Sequence, residues 1–235
     1  MRIAVTRPEE DAGPLKARLE AMGHQVVMVP LLTIRPRGDV AIPARPWQVI
    51  AVTSANGIRS LPPGHGLTKF RTLTVGPQSL KAAAEAGFAA EAHGGDVNGL
   101  AAFIRANLDP GAGPVLYLSG AETAGDLEGQ LKAAGFSCHR VVLYDAAPAD
   151  RLGAAENSLK AGEIDAVMLY SPRSAKIWRA LVEAAGLSRQ AGSVRNFCLS
   201  RNVASVLPES WDKRVPETPD EQAMLALLAR DGRRD

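Results

Sequence analysis

The chain has 235 residues, 46% of them hydrophobic and 22% charged, with a formal net charge of +2. That length holds one large core or two small ones, and the composition is that of an ordinary globular protein. A near-neutral balance argues against a nucleic-acid binder with a dense basic stripe, yet suits a small polyanionic ligand if arginines converge locally.

The first elements form a β-α-β unit. Arg2–Thr6 reads as a short apolar strand, followed by a polar loop over Arg7–Gly13. A helix is expected from Gly13-Pro14, with Leu15, Leu19 and Met22 on its apolar face and Gly23 as its C′ residue. Val26–Val29 is a continuous apolar run, as in a buried parallel strand. Pro36–Pro46 reads as a linker, and Val49–Thr53 as the next buried strand. A short helix over Ser54–Leu61 ends at PPGHG, and Thr72–Val75 precedes a helix opening at Gly76-Pro77. Asp96 is placed to cap a helix over Val97–Leu108, and strand Val115–Leu118 leads to another helix ending at Gly135.

The strand after Gly135 completes a repeat. LKARLEAMG at Leu15–Gly23 precedes QVVMVPLLTIRP, and LEGQLKAAG at Leu127–Gly135 precedes HRVVLYDAAP, with Leu127 lying 112 positions after Leu15. Each copy is followed by an apolar run closed by a small polar loop, VIAVTSANG at Val49–Gly57 and AVMLYSPRS at Ala166–Ser174. A duplicated α/β unit follows. The strands near 30–37 and 142–148 then leave one copy for the other, which makes the fold discontinuous: one domain over 1–34 and 147–235, a second inserted at 38–142. In the last part, Ala149–Gly162 reads as a helix and Asp165–Tyr170 as a strand. A helix with Ile177, Trp178, Leu181 and Val182 on its apolar face follows. Then come strand Arg195–Leu199, a short helix at Val203–Leu207, an edge strand near Lys213–Val215 and a closing helix over Asp220–Arg230. Arg230 and Asp231–Asp235 read as a frayed tail.

Cys138 and Cys198 sit in apolar strand candidates and are expected to be buried free thiols. No Cys/His spacing suits zinc or an iron–sulfur cluster. Met1 leads straight into a strand without a signal segment, and no apolar run approaches the ~20 residues of a membrane span. A cytoplasmic protein without membrane contact is expected.

Six polar loops end strands before helices: Thr6-Arg7-Pro8, Thr53-Ser54-Ala55-Asn56-Gly57, Gly76-Pro77-Gln78-Ser79, Ser119-Gly120, Ser171-Pro172-Arg173-Ser174 and Ser200-Arg201-Asn202. Their hydroxyls and helix-start N–H groups suit carboxylates or phosphates; for any one loop the plainer reading is that its serine or threonine caps the helix, and it is the recurrence of six such loops that points to an anion-lined cleft. No Walker A loop, GxGxxG fingerprint or GxSxG elbow is present. Arg7, Arg35, Arg37 and Arg173 fall at strand ends or crossovers, where their forks suit carboxylates; a solvated basic surface is the other reading for Arg35 and Arg37. Tyr144 stands in a crossover strand, placed either to reach a ligand or to anchor packing, whereas Tyr117 and Tyr170 read as structural.

In this order and spacing the motifs resemble the uroporphyrinogen-III synthase family. They are VTRP at Val5–Pro8, PLLTIRP at Pro30–Pro36, VTSANGI at Val52–Ile58, VGPQSLKAAAEAGF at Val75–Phe88, LYLSG at Leu116–Gly120, VVLY at Val141–Tyr144 and SPRSA at Ser171–Ala175. The resemblance implies two flavodoxin-like parallel-sheet domains joined by a two-stranded hinge, with the active site in a cleft between them. It implies cyclisation of hydroxymethylbilane to uroporphyrinogen III, with loss of water and inversion of ring D through a spiro intermediate. Neither metal nor organic cofactor is implied. Partners would be the linear tetrapyrrole with its carboxylate side chains and, transiently, hydroxymethylbilane synthase; a monomer is expected. Tyr144 would assist departure of the hydroxyl. Substrate contacts would come from Thr6, Arg7, Ser54, Ala55, Asn56, Gly76, Pro77, Ser79, Ser119, Gly120, Ser171, Arg173, Ser200 and Asn202. One departure stands out: where many members carry a second GPxT-like turn, this chain has Ser200-Arg201-Asn202-Val203, so the threonine contact cannot be carried over. Two other readings fit a pair of α/β lobes about a hinge: a non-enzymatic small-ligand sensor and an inactive synthase paralogue.

Overall fold

The computed structural model describes residues 1–231. The chain divides into two compact units: unit 1 joins Met1–Thr33 to the chain from Ala147 onward, and unit 2 is Ile34–Ala146. Unit 1 opens with β1 (Arg2–Val5), α1 (Glu9–Ala21) and β2 (Gln25–Met28), and β3 (Leu32–Pro36) leads out of it. Unit 2 runs through β4 (Val49–Val52), α2 (Ala55–Arg59), β5 (Thr72–Thr74), α3 (Pro77–Glu85), β6 (Ala90–Ala92) and α4 (Val97–Asn107). A 3-10 turn at Pro110–Ala112, β7 (Val115–Gly120) and α5 (Leu127–Ala133) follow. β8 (Cys138–Pro148) returns to unit 1 and α6 (Ala154–Lys160), β9 (Ala166–Leu169), α7 (Pro172–Ala184) and α8 (Ser188–Ser193). β10 (Arg195–Cys198), α9 (Arg201–Ala204), β11 (Lys213–Arg214) and α10 (Glu221–Asp231) complete it.

The sheet order carries the duplication seen in the sequence. Unit 1 is ordered β11-β10-β9-β1-β2, all parallel. Unit 2 is ordered β3-β8-β7-β4-β5-β6, parallel from β8 to β6. Matching β1-α1-β2 to β7-α5-β8, and β9-β10-β11 to β4-β5-β6, superposes the two orders. The units are one sheet plan cut at different points. Read in chain order unit 1 is 2-1-3-4-5, the flavodoxin arrangement, and unit 2, leaving aside β3 at its edge beside β8, is the permuted form, 3-2-1-4-5. The α1 and α5 copies each end at a glycine with positive φ, Gly23 at 84° and Gly135 at 86°, the left-handed turn that stops a helix.

Helices cover both faces of each sheet, which is why the strands are continuous apolar runs. In unit 2, Ile50, Val52, Leu116 and Leu118 pack on one side with Ile58 and Ala83. Val49, Ala51, Val115 and Tyr117 face the other way, against Leu100, Ile104 and Leu131. In unit 1, Ala4, Val167 and Leu169 meet Trp178 and Val182, while Ile3, Val5 and Met168 meet Leu15, Leu19, Leu225 and Leu228. Both cysteines are free and buried.

Several expected boundaries move. The helix expected from Gly13-Pro14 begins at Glu9, with Pro14 inside it, because Glu9, Glu10 and Asp11 in the first turn suit the positive end of the helix dipole. β2 is only half-buried, being an edge strand. The helix expected from Ala149 starts at Ala154, and that expected at Val203–Leu207 is α9, begun earlier by the Ser200 cap. α8 went unrecognised because SRQAGS has no apolar stripe. Of the expected tail, Arg230 and Asp231 belong to α10, and residues 232–235 lie outside the described residues. No helix among the described residues is long and apolar enough to cross a membrane.

Candidate active site

An open parallel sheet binds ligands at the carboxyl ends of its strands, where the order reverses. In unit 2 that point lies between β4 and β7, and in unit 1 between β9 and β1. The loops flanking these points are Thr53–Gly57 with Ser119–Gly120, and Thr6–Arg7 with Ser171–Ser174.

In unit 2, Ser54 caps α2, its Oγ accepting from the Asn56 N–H at 3.3 Å. Ala55 and Asn56 are buried, and the Asn56 Oδ1 accepts from Arg59 Nη1 at 3.2 Å. Gly76 precedes α3 with extended backbone and Pro77 at the helix start; among the described residues no side chain caps this end, and Ser79 is buried in the first turn. Such a start leaves helix N–H groups to solvent or an anion. β7 and β8 pair regularly to Ser119↔Val142; the next pair is Gly120↔Tyr144, so Leu143 is the extra residue of a bulge. A bulge re-aims the side chains beside it. Here it lays the Tyr144 ring against Gly120, where a Cβ would sit 2.6 Å from the ring's Cζ. The Ala121 N–H donates to the Tyr144 carbonyl at 2.9 Å. Tyr144 is 7% exposed and joins the packing around Leu116, Leu118 and Leu143.

Arg140 holds the same corner. Its Nε donates to Ser119 Oγ, and its Nη2 to the carbonyls of Gly120 and Ala121, each at 2.8 Å. On the Ser119 face of β7, opposite the Tyr144 ring, stands Tyr117, whose hydroxyl lies 3.1 Å from Thr53 Oγ1; burial pushes its phenol pKa up.

In unit 1 the Thr6 hydroxyl, buried, donates to the Met168 carbonyl at 2.6 Å and so ties β1 to β9. The Arg7 Nη1 donates to Glu221 Oε2 at 2.7 Å, and Arg18 Nη1 reaches the other Glu221 oxygen at 2.9 Å. The Arg7 guanidinium lies over the Tyr170 ring, 4.5 Å from its centroid. Burial first, and the Glu221 charge second, drive the Tyr170 pKa upward. Ser171 caps α7 in a reciprocal box with Ser174, both bonds near 3 Å. Arg173, half-buried, stands in the first turn of that helix. Ser200 caps α9 and accepts from the Val203 N–H at 3.4 Å. Val203 itself is buried in the unit 1 core, and Asn202 is exposed.

Within unit 2 the structure gathers Ser119, Gly120 and Tyr144 at one corner, with Ser54, Ala55 and Asn56 on the adjacent strand end. Gly76, Pro77 and Ser79 stand one strand further out. Within unit 1 it gathers Thr6, Arg7, Ser171 and Arg173, with Ser200 and Asn202 one strand further out. Arg37 is turned to Asp145 in a bidentate pair of 2.8 and 2.7 Å, and Arg35 is exposed. Two residues were not singled out in the sequence. Arg140 had a signal, a lone charge inside the apolar run of β8; Glu221 had none, because it lies 214 residues from the arginine it pairs with. Among the described residues no group of three or more His, Cys, Asp or Glu side chains is placed to hold a metal ion.

The chain matches the family model for uroporphyrinogen-III synthase HemD over residues 13–226. It resembles the crystal structure of uroporphyrinogen-III synthetase from Helicobacter pylori at 16% identity and TM-score 0.70, covering 98% of this chain and 99% of that one. It also resembles a mutant uroporphyrinogen III synthase from the extremely thermophilic bacterium Thermus thermophilus at 20% identity and TM-score 0.61, over 100% of both chains. No curated protein sequence matches it. The likeness in structure fixes the fold, and the family match spans nearly all of both units: the chain belongs to the uroporphyrinogen-III synthase family, whose members are cyclising lyases.

Proposed function

We propose that the protein cyclises hydroxymethylbilane to uroporphyrinogen III, inverting ring D. The observation that carries this reading is the family match over residues 13–226. In the reaction the C–O bond of the ring A hydroxymethyl group breaks, and the oxygen leaves as water. The pyrrole nitrogen's electron pair forms the azafulvene that remains. Ring D attacks it through its substituted carbon, giving a spiro intermediate that fragments and recloses with ring D reversed. The sum is an isomerising ring closure with loss of water. It has no net oxidation or reduction, so it calls for no redox cofactor.

Three demands follow on the chain. The substrate's carboxylates need donors, the departing oxygen needs a proton or a hydrogen bond, and the wrong carbon of ring D must be kept from attacking first. Tyr144 is assigned to the departing oxygen. An ordinary phenol has a pKa of about 10, so its O–H serves best as a hydrogen-bond donor that strengthens as negative charge grows on that oxygen. Carboxylates are assigned to the N–H groups and polar side chains at Ser54, Ala55, Asn56, Gly76, Ser79, Ser119 and Gly120 in unit 2, with Pro77, which has no N–H, fixing the turn by which the substrate lies. Thr6, Arg7, Ser171, Arg173, Ser200 and Asn202 are assigned the same role in unit 1. The proposal places this reaction in the cytoplasm, on a monomer that receives its unstable substrate from hydroxymethylbilane synthase.

The test supplies freshly generated hydroxymethylbilane with and without the protein, then oxidises and separates the products. A protein-dependent excess of isomer III is expected. Isomer I alone, from folded protein, would sink the reading and leave the sensor or the inactive paralogue.

A further inference from the structure

We propose that Arg140 is a positioning residue for Tyr144, acting through the bulged end of β7. The inference rests on the reading of Tyr144 given above. Arg140 stands in β8, four residues before Tyr144, yet its guanidinium reaches across to β7 and binds three oxygens in succession: Ser119 Oγ, Gly120 O and Ala121 O. These are the last residues of β7 and the first beyond it. The regular ladder fails at this place, between Ser119 and Gly120. The ladder skips Leu143 here and resumes at Gly120↔Tyr144, and the guanidinium braces β7 across that irregularity.

The fixed segment is the seat of the Tyr144 ring. Gly120 lies so close beneath it that an added Cβ would be 2.6 Å from Cζ and 3.0 Å from the hydroxyl oxygen. The chain on either side is tied as well, because the Ala121 N–H donates to the Tyr144 carbonyl. A shift of the Ser119–Ala121 segment therefore carries the phenol with it. The planar fork suits this role, because Nε and Nη2 point the same way from one rigid plane, and a lysine could reach at most part of the set. The oxygens bound are a hydroxyl and two carbonyls, and none of the described carboxylates forms an ion pair with Arg140. Arg140 is thus spent on backbone geometry rather than on charge balance.

The experiment is a double-mutant cycle. Arg140→Gln and Arg140→Lys are measured in the natural background and in Tyr144→Phe. Arg140→Gln is expected to lower kcat about tenfold, since small misplacements at a reacting centre are costly, with KM within about twofold. Arg140→Lys should recover part of the loss. In the Tyr144→Phe background, Arg140→Gln should cost almost nothing more. Equal losses in both backgrounds, or a rise in KM alone, would overturn the inference. Should Arg140→Gln fail to fold, Arg140→Lys, which keeps the charge and part of the contacts, carries the same cycle with a smaller loss. A natural protein that makes no isomer III would count against the proposed function instead. The inference then still meets a test in the ring signals of the three tyrosines in carbon-labelled protein: Arg140→Gln must shift and broaden those of Tyr144, and unchanged signals would sink it.

Discussion

The equivalent strands β1 and β7 end in loops that solve the same problem differently. At the end of β1 the guanidinium of Arg7 belongs to the loop itself and is already matched by Glu221, which Arg18 shares. At the end of β7 the guanidinium of Arg140 comes from the neighbouring strand and, among the described residues, is bonded to neutral oxygens, with a tyrosine ring laid over the glycine it holds. The first loop is a charge-balanced fork that can exchange one carboxylate for another. The second is a fixed frame around a single O–H. The comparison teaches that one strand end, used twice, can take two roles: on the proposed reading the Arg7 loop of unit 1 should act on KM and the Tyr144 corner of unit 2 on kcat.

The sharpest way to break that division is through the two tyrosines near the strand ends. Tyr144→Phe should lower kcat about 100-fold, the scale set by removing one donor from a developing negative charge, while KM and Tm stay close to their natural values. Tyr170→Phe should leave turnover within about twofold. Its hydroxyl is buried without a hydrogen bond among the described residues, and losing such a group is neutral or stabilising. Steady-state kinetics of the two variants side by side checks both. Equal losses would show that the units are not specialised.

Next in size is Gly120→Ala. The methyl group has no room beside the Tyr144 ring, so overpacking should cost about 1–3 kcal/mol and turnover should fall with it. Gly76→Ala is the control, since nothing lies within 4 Å of an added Cβ there and its backbone is extended. Thermal unfolding of both proteins measures the difference.

In unit 1 the expected change is in affinity. Arg7→Ala should raise KM about tenfold with kcat nearly unchanged, the mark of an interaction made equally with substrate and transition state. A charge-assisted hydrogen bond of about 1.5–3 kcal/mol allows such an effect. Glu221→Gln should raise KM less, about threefold, because the fork remains and only its bracing is lost. A fall in kcat in either variant would place unit 1 in the chemistry.

How much of this was legible in the sequence follows from how local each signal is. The duplicated helix–strand strings and the continuous apolar strands are short-range patterns and could be read, whereas the permuted strand order depends on which strands meet in space and could not. Ser54, Ser171 and Ser200 stood out as strand-end hydroxyls because a cap acts within three residues; all three cap helices. The start of α1 was misread because Pro14 outweighed the acidic first turn in the sequence, whereas the folded helix accommodates the proline. The bulge at Leu143 left no trace, because it is a mismatch of register between two strands and neither strand shows it alone. For the same reason Arg140 was passed over: a lone charge in an apolar run is visible, but the oxygens it binds are 19 to 21 residues away.

The smallest effect contrasts the outer edges of the two sheets. In unit 2 the edge strand β6 carries Glu91, bonded to Arg71 on β5's approach and to His93. In unit 1 the edge strand β11 carries Arg214, paired with Asp212 and Asp231. The Arg71 guanidinium, and then His93, hold the Glu91 carboxyl down to about 2. A carboxyl whose pKa is depressed on folding adds stability above its unfolded value of about 4.3, and that increment is lost as pH falls toward 2. Glu91→Gln should therefore be slightly less stable than the natural protein at neutral pH, and the gap should close between pH 4 and 2. Arg71 and Glu91 are 43% and 42% exposed, so solvent screens the pair and the gap should stay within about 1 kcal/mol. Added salt should shrink it further. Denaturant unfolding across that pH range reads the difference directly. A gap that widens on acidification would mean that Glu91 is destabilising as an anion and that the Arg71 pair does not form in solution. A gap that holds constant down to pH 2 would mean that the edge is held by packing of His93 on Phe103 rather than by charge.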